Sequence, residues 1–228
     1  MKLAIIGYGK MGKLIASLAP EYGFTVHACV DLDDDFAKAA GADVAIEFTT
    51  PEAAPGNIGR LMAMKLPVVV GTTGWLGHMD EVRAAVEKAG SALVWSPNFS
   101  VGVNVFLRVV REAARLLASE PEYGAWAWEI HHDTKKDAPS GTMIKLVDEM
   151  KAAGYARNID VSSNRAGRHP GTHEIGFDSA ADTITLRHAA RSREGFARGA
   201  LKAAQWLTEG AAGKQGVFEF SDVLFTKR

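Results

Sequence analysis

Between Glu129 and Thr142 the chain reads EIHHDTKKDAPSGT, a dense run of groups that handle protons and charge. Two adjacent histidines, His131 and His132, can give or take a proton near neutral pH. Lys135 and Lys136 add positive charge, and a lysine close to a substrate can also donate a proton. Ser140, Gly141 and Thr142 follow a proline and read as a helix start, with serine in the favoured N-cap place. The free backbone N–H groups of such a start bind carboxylate or phosphate without needing a side-chain cation. The stretch therefore has the parts to hold an anion and protonate it.

Other chemistries fit less well. His-His-x-x-Lys lacks the spacing of a zinc centre and has no cysteine nearby, so no metal is expected. Ser140 has no G-x-S-x-G elbow to make it a hydrolase nucleophile. A lone histidine is usually structural and a loop lysine usually solvated, and Lys136 reads as solvent-facing charge. From the residues alone, the acid-and-anion site is the best of several readings.

The surrounding pattern says what must position these groups. Residues Ala125 to His132 alternate with period two, as in a half-buried strand. Trp126, Trp128 and Ile130 fall on one face, which reads as packing, and Glu129 and His131 fall on the other. His131 and His132 then point to opposite sides. After the Pro139 break, Met143, Ile144, Leu146, Val147 and Met150 mark the apolar face of a helix that Gly154 ends. A long amphipathic helix precedes the strand, from Val105 to Leu117, with Arg108, Arg111 and Arg115 on its solvated side. Strands are expected at His173–Asp178 and Thr183–His188, which makes this region an α+β unit.

The first third follows another plan. Leu3 to Ile6 is a continuous apolar run, the mark of a strand buried on both faces of a parallel sheet. It runs into Gly7-Tyr8-Gly9-Lys10-Met11-Gly12, a G-x-G-x-x-G that opens a helix carrying Leu14, Ile15 and Leu18. Gly7 permits the tight turn, Gly9 lets backbone approach a pyrophosphate, and Gly12 lets helix and strand pack closely. A second strand, Phe24 to Val30, ends at Asp31, where an acid can accept hydrogen bonds from the adenosine ribose hydroxyls. Strand, turn, helix, strand and acid agree on a dinucleotide. Asp31 repels a 2′-phosphate and DLDDD supplies no arginine, which favours NADH over NADPH; Lys10 and Lys13 work against that repulsion.

Further strands at Asp43–Phe48, Leu66–Val70 and Ala92–Trp95, with helices between, complete a doubly wound sheet. Loops at carboxyl strand ends line the ligand crevice of such sheets. That makes Thr49-Thr50-Pro51, Gly71-Thr72-Thr73 and Ser96-Pro97-Asn98-Phe99-Ser100 candidates to touch the cofactor. A last helix, Gly195 to Leu207, reads as returning to this unit. The expected organisation is α/β. A Rossmann-like dinucleotide domain spans 1–100 and is joined by 194–228; a substrate and oligomerisation domain spans 101–193.

Bulk properties exclude several classes. The 228 residues are 47% hydrophobic, enough for one large core or two smaller ones. A formal net charge of −1 gives no basic excess for nucleic acid or a membrane surface. The single cysteine, Cys29, rules out an intrachain disulfide framework and lies in an apolar run, so a core place outranks a nucleophilic one. No window has the apolar length of a membrane span and the N-terminus is no secretory signal, so a cytoplasmic protein is expected.

The order of these pieces resembles a known family. E-x-H-H-x-x-K-x-D-A-P-S-G-T, carried by Glu129, His131, His132, Lys135, Asp137, Ala138, Pro139, Ser140, Gly141 and Thr142, is similar to the signature of dihydrodipicolinate reductases. The N-terminal glycine turn, Gly71-Thr72-Thr73, Pro97 to Asn104, Gly171 to Glu174, and His188 through Arg193 to Ala197 extend the likeness over essentially the whole chain. The resemblance implies NAD(P)H-dependent reduction of 4-hydroxy-tetrahydrodipicolinate, a cyclic dicarboxylate, in the diaminopimelate route to lysine. It implies His131 as proton donor and Lys135 as carboxylate ligand and helper in protonation. Substrate carboxylates would meet His132, Ser140, Gly141 and Thr142. The cofactor would meet Gly7 to Gly12, Asp31, Gly71 to Thr73 and Ser96 to Phe99. It also implies a homotetramer assembled through the middle domain's sheet.

This chain departs from the common pattern. GYGKMG is shorter than in many members, Ser96 replaces a common alanine, and Asp31 stands where others carry Glu followed by Arg. The chain is short between Asp31 and Ala42. The rival expectations are another Rossmann-type dehydrogenase of amino-acid metabolism, whose semialdehyde form would want a better-placed cysteine than Cys29, and a nucleotide-sensing module that binds cofactor without turnover.

Overall fold

The computed structural model describes residues 1–209 and 214–225; of the C-terminal segment 194–228, residues 210–213 and 226–228 lie outside the described residues. The chain divides into two compact units: Met1–Val101 together with the segment from Glu194 onward, and Gly102–Arg193.

In the first unit, six parallel strands stand in the order β10-β5-β4-β3-β1-β2. They are β1 (Lys2–Ile6), β2 (Thr25–Val30), β3 (Val44–Glu47), β4 (Val68–Val70), β5 (Ala92–Trp95) and β10 (Gly216–Glu219). Alternate side chains feed opposite faces. Leu3, Ile5, Ile46 and Val94 pack with residues of α1 (Lys10–Leu18) and α6 (Glu194–Thr208). Ala4, Ile6, Ala45, Val68 and Val70 pack with residues of α2 (Ala54–Ala63) and α3 (Met79–Ala89). Apolar burial on both faces explains why these strands read as unbroken hydrophobic runs.

Two features lay outside the sequence reading. The segment between Asp31 and Asp43 holds only a short 3-10 turn at Phe36–Ala39, so the chain crosses directly from β2 to β3 on the other side of β1. Strand order therefore reverses at β1/β3, the position where open α/β sheets bind ligands. At the far edge, β10 pairs with β5 and is followed by α7 (Phe220–Phe225).

The second unit is a four-stranded mixed sheet, β7-β6-β8-β9, comprising β6 (Gly124–His131), β7 (Ile159–Arg165), β8 (Thr172–Asp178) and β9 (Thr183–Ala189). Strands β6 and β7 are parallel and the other pairs antiparallel. Two helices, α4 (Val101–Leu117) and α5 (Gly141–Ala152), send Phe106, Val110, Ala114, Met143, Leu146 and Met150 onto one sheet face. The strand alternation is as expected. The helices cover the face of Ala127, Glu129 and His131, while Trp126, Trp128 and Ile130 on the other face stay half-buried. The physical reason lies on both sides of the sheet. Small Ala127 admits the helices, whereas Trp126 lies flat across Gly176, where a Cβ would sit 2.1 Å from the indole.

Candidate functional site

The glycine turn of the first unit is built for close approach. Gly7 has φ +91°, and a Cβ there would stand 2.1 Å from the Phe48 carbonyl oxygen. Its N–H donates to the Val30 carbonyl at 2.8 Å, pinning the turn beside the end of β2. A Cβ on Gly12 would lie 2.2 Å from the Gly7 oxygen, so α1 starts pressed against the turn. Gly9 differs, because a Cβ there would meet nothing within 4 Å. The open face coincides with the start of α1, which has no side-chain cap and no acidic residue in its first turn. Backbone N–H groups with nothing in front of them suit a pyrophosphate.

The other predicted cofactor residues divide into two groups. Lys10, Asp31, Thr73 and Pro97 are exposed, and Asp31 directly follows β2. Thr72 and Phe99 are instead spent on the fold. The Thr72 hydroxyl accepts the Thr49 N–H at 2.7 Å, and the Phe99 ring lies 4.9 Å from Phe220 at 2% exposure. Ser96 donates to the Asn98 carbonyl at 2.8 Å and shapes its own loop. Half-buried Met11 and Tyr8 pack against the core.

In the second unit, strand register assembles the chemistry. Direct partners across the sheet form layers on the helix-covered face. Val161, Ala127, Ile175 and Leu186 make an apolar layer. The next layer toward the end of β6 is Ser163, Glu129, His173 and His188, and beyond it His131 pairs in register with Arg165. One face thus turns from oil to ionisable groups within two residues of strand.

Glu129 is the hub, fully buried. Its Oε1 accepts from the Ser140 N–H, the Ser163 hydroxyl and an Arg165 N–H, each at 2.9 Å. Its Oε2 accepts a short hydrogen bond from the Ser140 hydroxyl and lies 3.5 Å from His173 Nε2. His131 Nδ1 stands 3.6 Å away, a charge contact too long for a hydrogen bond. Burial raises the Glu129 pKa, but the bonds from His173, Ser140 and Arg165 outweigh it and hold the carboxyl far below the usual carboxylate range. His131 moves the other way for a histidine. Burial, reinforced by His173 and later by Lys135 and Arg165 against the pull of Glu129, brings it down to about 4.

The residues expected to hold an anion lie in the loop beyond β6 and at the start of α5. Past β6, His132 is half-buried and its Nδ1 meets the Thr134 hydroxyl at 2.7 Å. Lys135 Nζ donates to both Asp137 oxygens, at 2.7 and 2.8 Å. Ser140 caps α5 by accepting the Met143 N–H. Its own N–H and hydroxyl are both taken by Glu129. Glu129, His131 and His173 also offer donor atoms within 4.8 Å of one another, the makings of a metal site. Both Glu129 oxygens are already hydrogen-bonded, and Arg165 adds positive charge there.

Two family models together match nearly the whole chain. The family model described as "Dihydrodipicolinate reductase, N-terminus" matches residues 1–99, and "Dihydrodipicolinate reductase, C-terminus" matches residues 102–224. The chain belongs to the dihydrodipicolinate reductase family. It is 36% identical over 239 residues to the 4-hydroxy-tetrahydrodipicolinate reductase of Christiangramia forsetii, covering 98% of each chain. The enzyme of the same name from Lawsonia intracellularis is 31% identical, over 94% of this chain and 96% of its own. A dipicolinate-bound dihydrodipicolinate reductase from Paenisporosarcina sp. TG-14 shares the fold, with a TM-score of 0.78 at 20% identity over 96% and 97% of the two chains.

For a dihydrodipicolinate reductase, the residues missed by sequence reasoning are those that support His131. Arg165 sits on β7, a strand that was not recognised, and His173 on an expected strand without a role. Gly171 was missed as a steric partner. It has φ +137°, and a Cβ there would lie 2.9 Å from His131 Nε2. Gly171→Ala is therefore expected to displace the imidazole and lower kcat by about ten- to a hundredfold, with NADH affinity unchanged. Steady-state kinetics beside an NADH fluorescence titration check this; an unchanged kcat would show that the ring has room to move.

Proposed function

We propose that the first unit holds the dinucleotide at the Gly7–Gly12 turn and Asp31, while the second unit holds the cyclic dicarboxylate at Lys135, His132, Gly141 and Thr142 and protonates it from His131. NAD(P)H-dependent reduction in the lysine pathway is the function of this family. The observation that carries the site reading is the buried Glu129–His131–His173 cluster beside Lys135 and the start of α5. Bound nicotinamide supplies the hydride. Lys135 and the Gly141 and Thr142 N–H groups take substrate carboxylate, and His131 is aimed by its packing against Gly171 and His173. His131 is neutral in the free chain at neutral pH; a dianion brought alongside favours its charged form and so loads the proton it donates.

The same reading places the enzyme in the cytoplasm. It also makes the open β6–β9 face, with its half-buried Trp126 and Trp128, the assembly surface of a homotetramer. No helix among the described residues is long and apolar enough to cross a membrane.

The test is turnover. Substrate is generated from pyruvate and aspartate semialdehyde by a synthase, and NADH and NADPH oxidation are followed by absorbance. Cofactor binding without oxidation would sink the assignment. Exposed Asp31, with Asp33, Asp34 and Asp35 close in sequence, supports NADH as the better cofactor. Asp31→Ala is expected to shift the kcat/KM ratio toward NADPH by roughly tenfold, about 1.4 kcal/mol of like-charge repulsion removed. A ratio that stays put would remove Asp31 from cofactor choice.

A further inference from the structure

The carboxylate of Asp137 lies on Lys135, a donor that the proposed function gives to the substrate. Both of its oxygens are on Lys135 Nζ, at 2.7 and 2.8 Å. The Lys135 contact is also the largest of the effects that hold the carboxyl below its usual range. Asp137 thus takes both of its hydrogen bonds from the Lys135 ammonium, as an incoming carboxylate would.

Its attachment is lopsided. The main chain is fixed, because the Asp137 carbonyl accepts a hydrogen bond from Arg165. The side chain is 57% exposed, and Lys135 is 23% exposed. Such a pair binds weakly against water and is easily exchanged. A rotation about the Asp137 side-chain bonds releases Lys135 without moving backbone. Two carboxylates on one ammonium repel each other, so a bound substrate carboxylate and the paired Asp137 compete for it.

We infer that Asp137 is a built-in carboxylate placeholder, which holds Lys135 in the free enzyme and is displaced by the substrate's own carboxylate. This inference rests on the proposed anion site. It adds that the site is filled before the substrate arrives, and that substrate affinity is set by competition with a residue of the chain. The placeholder offers a selective advantage over water: a single small monoanion gains little by displacing it, whereas a dicarboxylate brings a second anchor.

A double-mutant cycle tests it. Dipicolinate, a flat pyridine dicarboxylate, is titrated calorimetrically into the NADH-loaded wild type, D137N, K135A and the double variant, with melting temperature and NADH affinity as folding controls. D137N is expected to bind dipicolinate roughly two- to fivefold tighter and to lower substrate KM, the factor an exposed ion pair is worth. In the K135A background the same change should have no effect. Equal or weaker binding by D137N, or a rise in KM with a fall in kcat, would overturn the placeholder, since Asp137 would then be needed to aim Lys135. A gain of the same size in both backgrounds would also overturn it, as general charge repulsion. If K135A binds dipicolinate as tightly as the wild type, the anion site itself falls, and the placeholder with it.

Discussion

Replacing His131 by alanine is expected to lower kcat by roughly a hundred- to ten-thousandfold, the range that a positioned general acid contributes. Lys135→Ala should fall in the same range while also raising KM, because Lys135 both binds and helps protonate. The fold should survive in both variants. His131 sits at the end of β6 and Lys135 in the loop beyond, and neither lies in the apolar cluster under α4 and α5. The pH profile separates a catalytic role from a structural one. Burial and its positive neighbours bring His131 down to about 4 in the free enzyme. The acid form therefore becomes scarcer as pH rises, and kcat/KM should fall through the neutral range with a slope approaching −1. In kcat the same limb should stand at higher pH, since the bound dianion raises the imidazole. Steady-state kinetics over pH should show the limb in the wild type and its loss in His131→Ala. An alanine variant with wild-type turnover, or one that keeps the limb, would remove His131 as the donor.

The parts of the site that could be read in advance are those where one residue type has one physical job. The Gly7–Gly12 turn is legible because its glycines answer steric demands that no side chain meets, and the distances at Gly7 and Gly12 show those demands. Ser140 was legible as a helix cap for a similar reason. Less visible was how its hydroxyl is divided: it faces Glu129 as well as the helix, which depends on β6 and α5 meeting in three dimensions. Strand β7 was missed because its inward residues change from Ile159 and Val161 to Ser163 and Arg165. The hydrophobic alternation fades where the strand begins to serve the Glu129 network. The alternation of β6 was legible, but not which face the helices cover: a carboxylate with enough donors can lie inside, and Glu129 does.

Glu129→Gln should cost about 3 kcal/mol of stability, although the side chain keeps its shape. Removing one partner of a buried ion pair generally costs about 3–5 kcal/mol, because the remaining charge stays behind. Arg165 is 17% exposed and can recover some hydration, which sets the lower end. The loss should depend on pH in a defined sense. The Glu129 carboxyl is held far below its unfolded value of 4.5, so its stabilisation is present above that pH and drains away as pH falls through the folded value. His131 adds a second acid limb. Its folded value of about 4 lies below the unfolded 6.5, so the unfolded chain binds the extra proton and stability falls as pH drops across that window. Urea denaturation at a series of pH values should then show two overlapping acid limbs in the wild type. In Glu129→Gln the lower limb disappears and the upper one remains. Glu129 is also the neighbour that draws the His131 pKa upward, so the variant should lose kcat/KM beyond what its stability explains. Adding Arg165→Met should restore part of the stability, since the stranded charge goes too, but not the activity. A Gln variant within about 0.5 kcal/mol of the wild type at neutral pH, the ordinary range for a surface change, would mean that Glu129 is not the hub the hydrogen bonds describe.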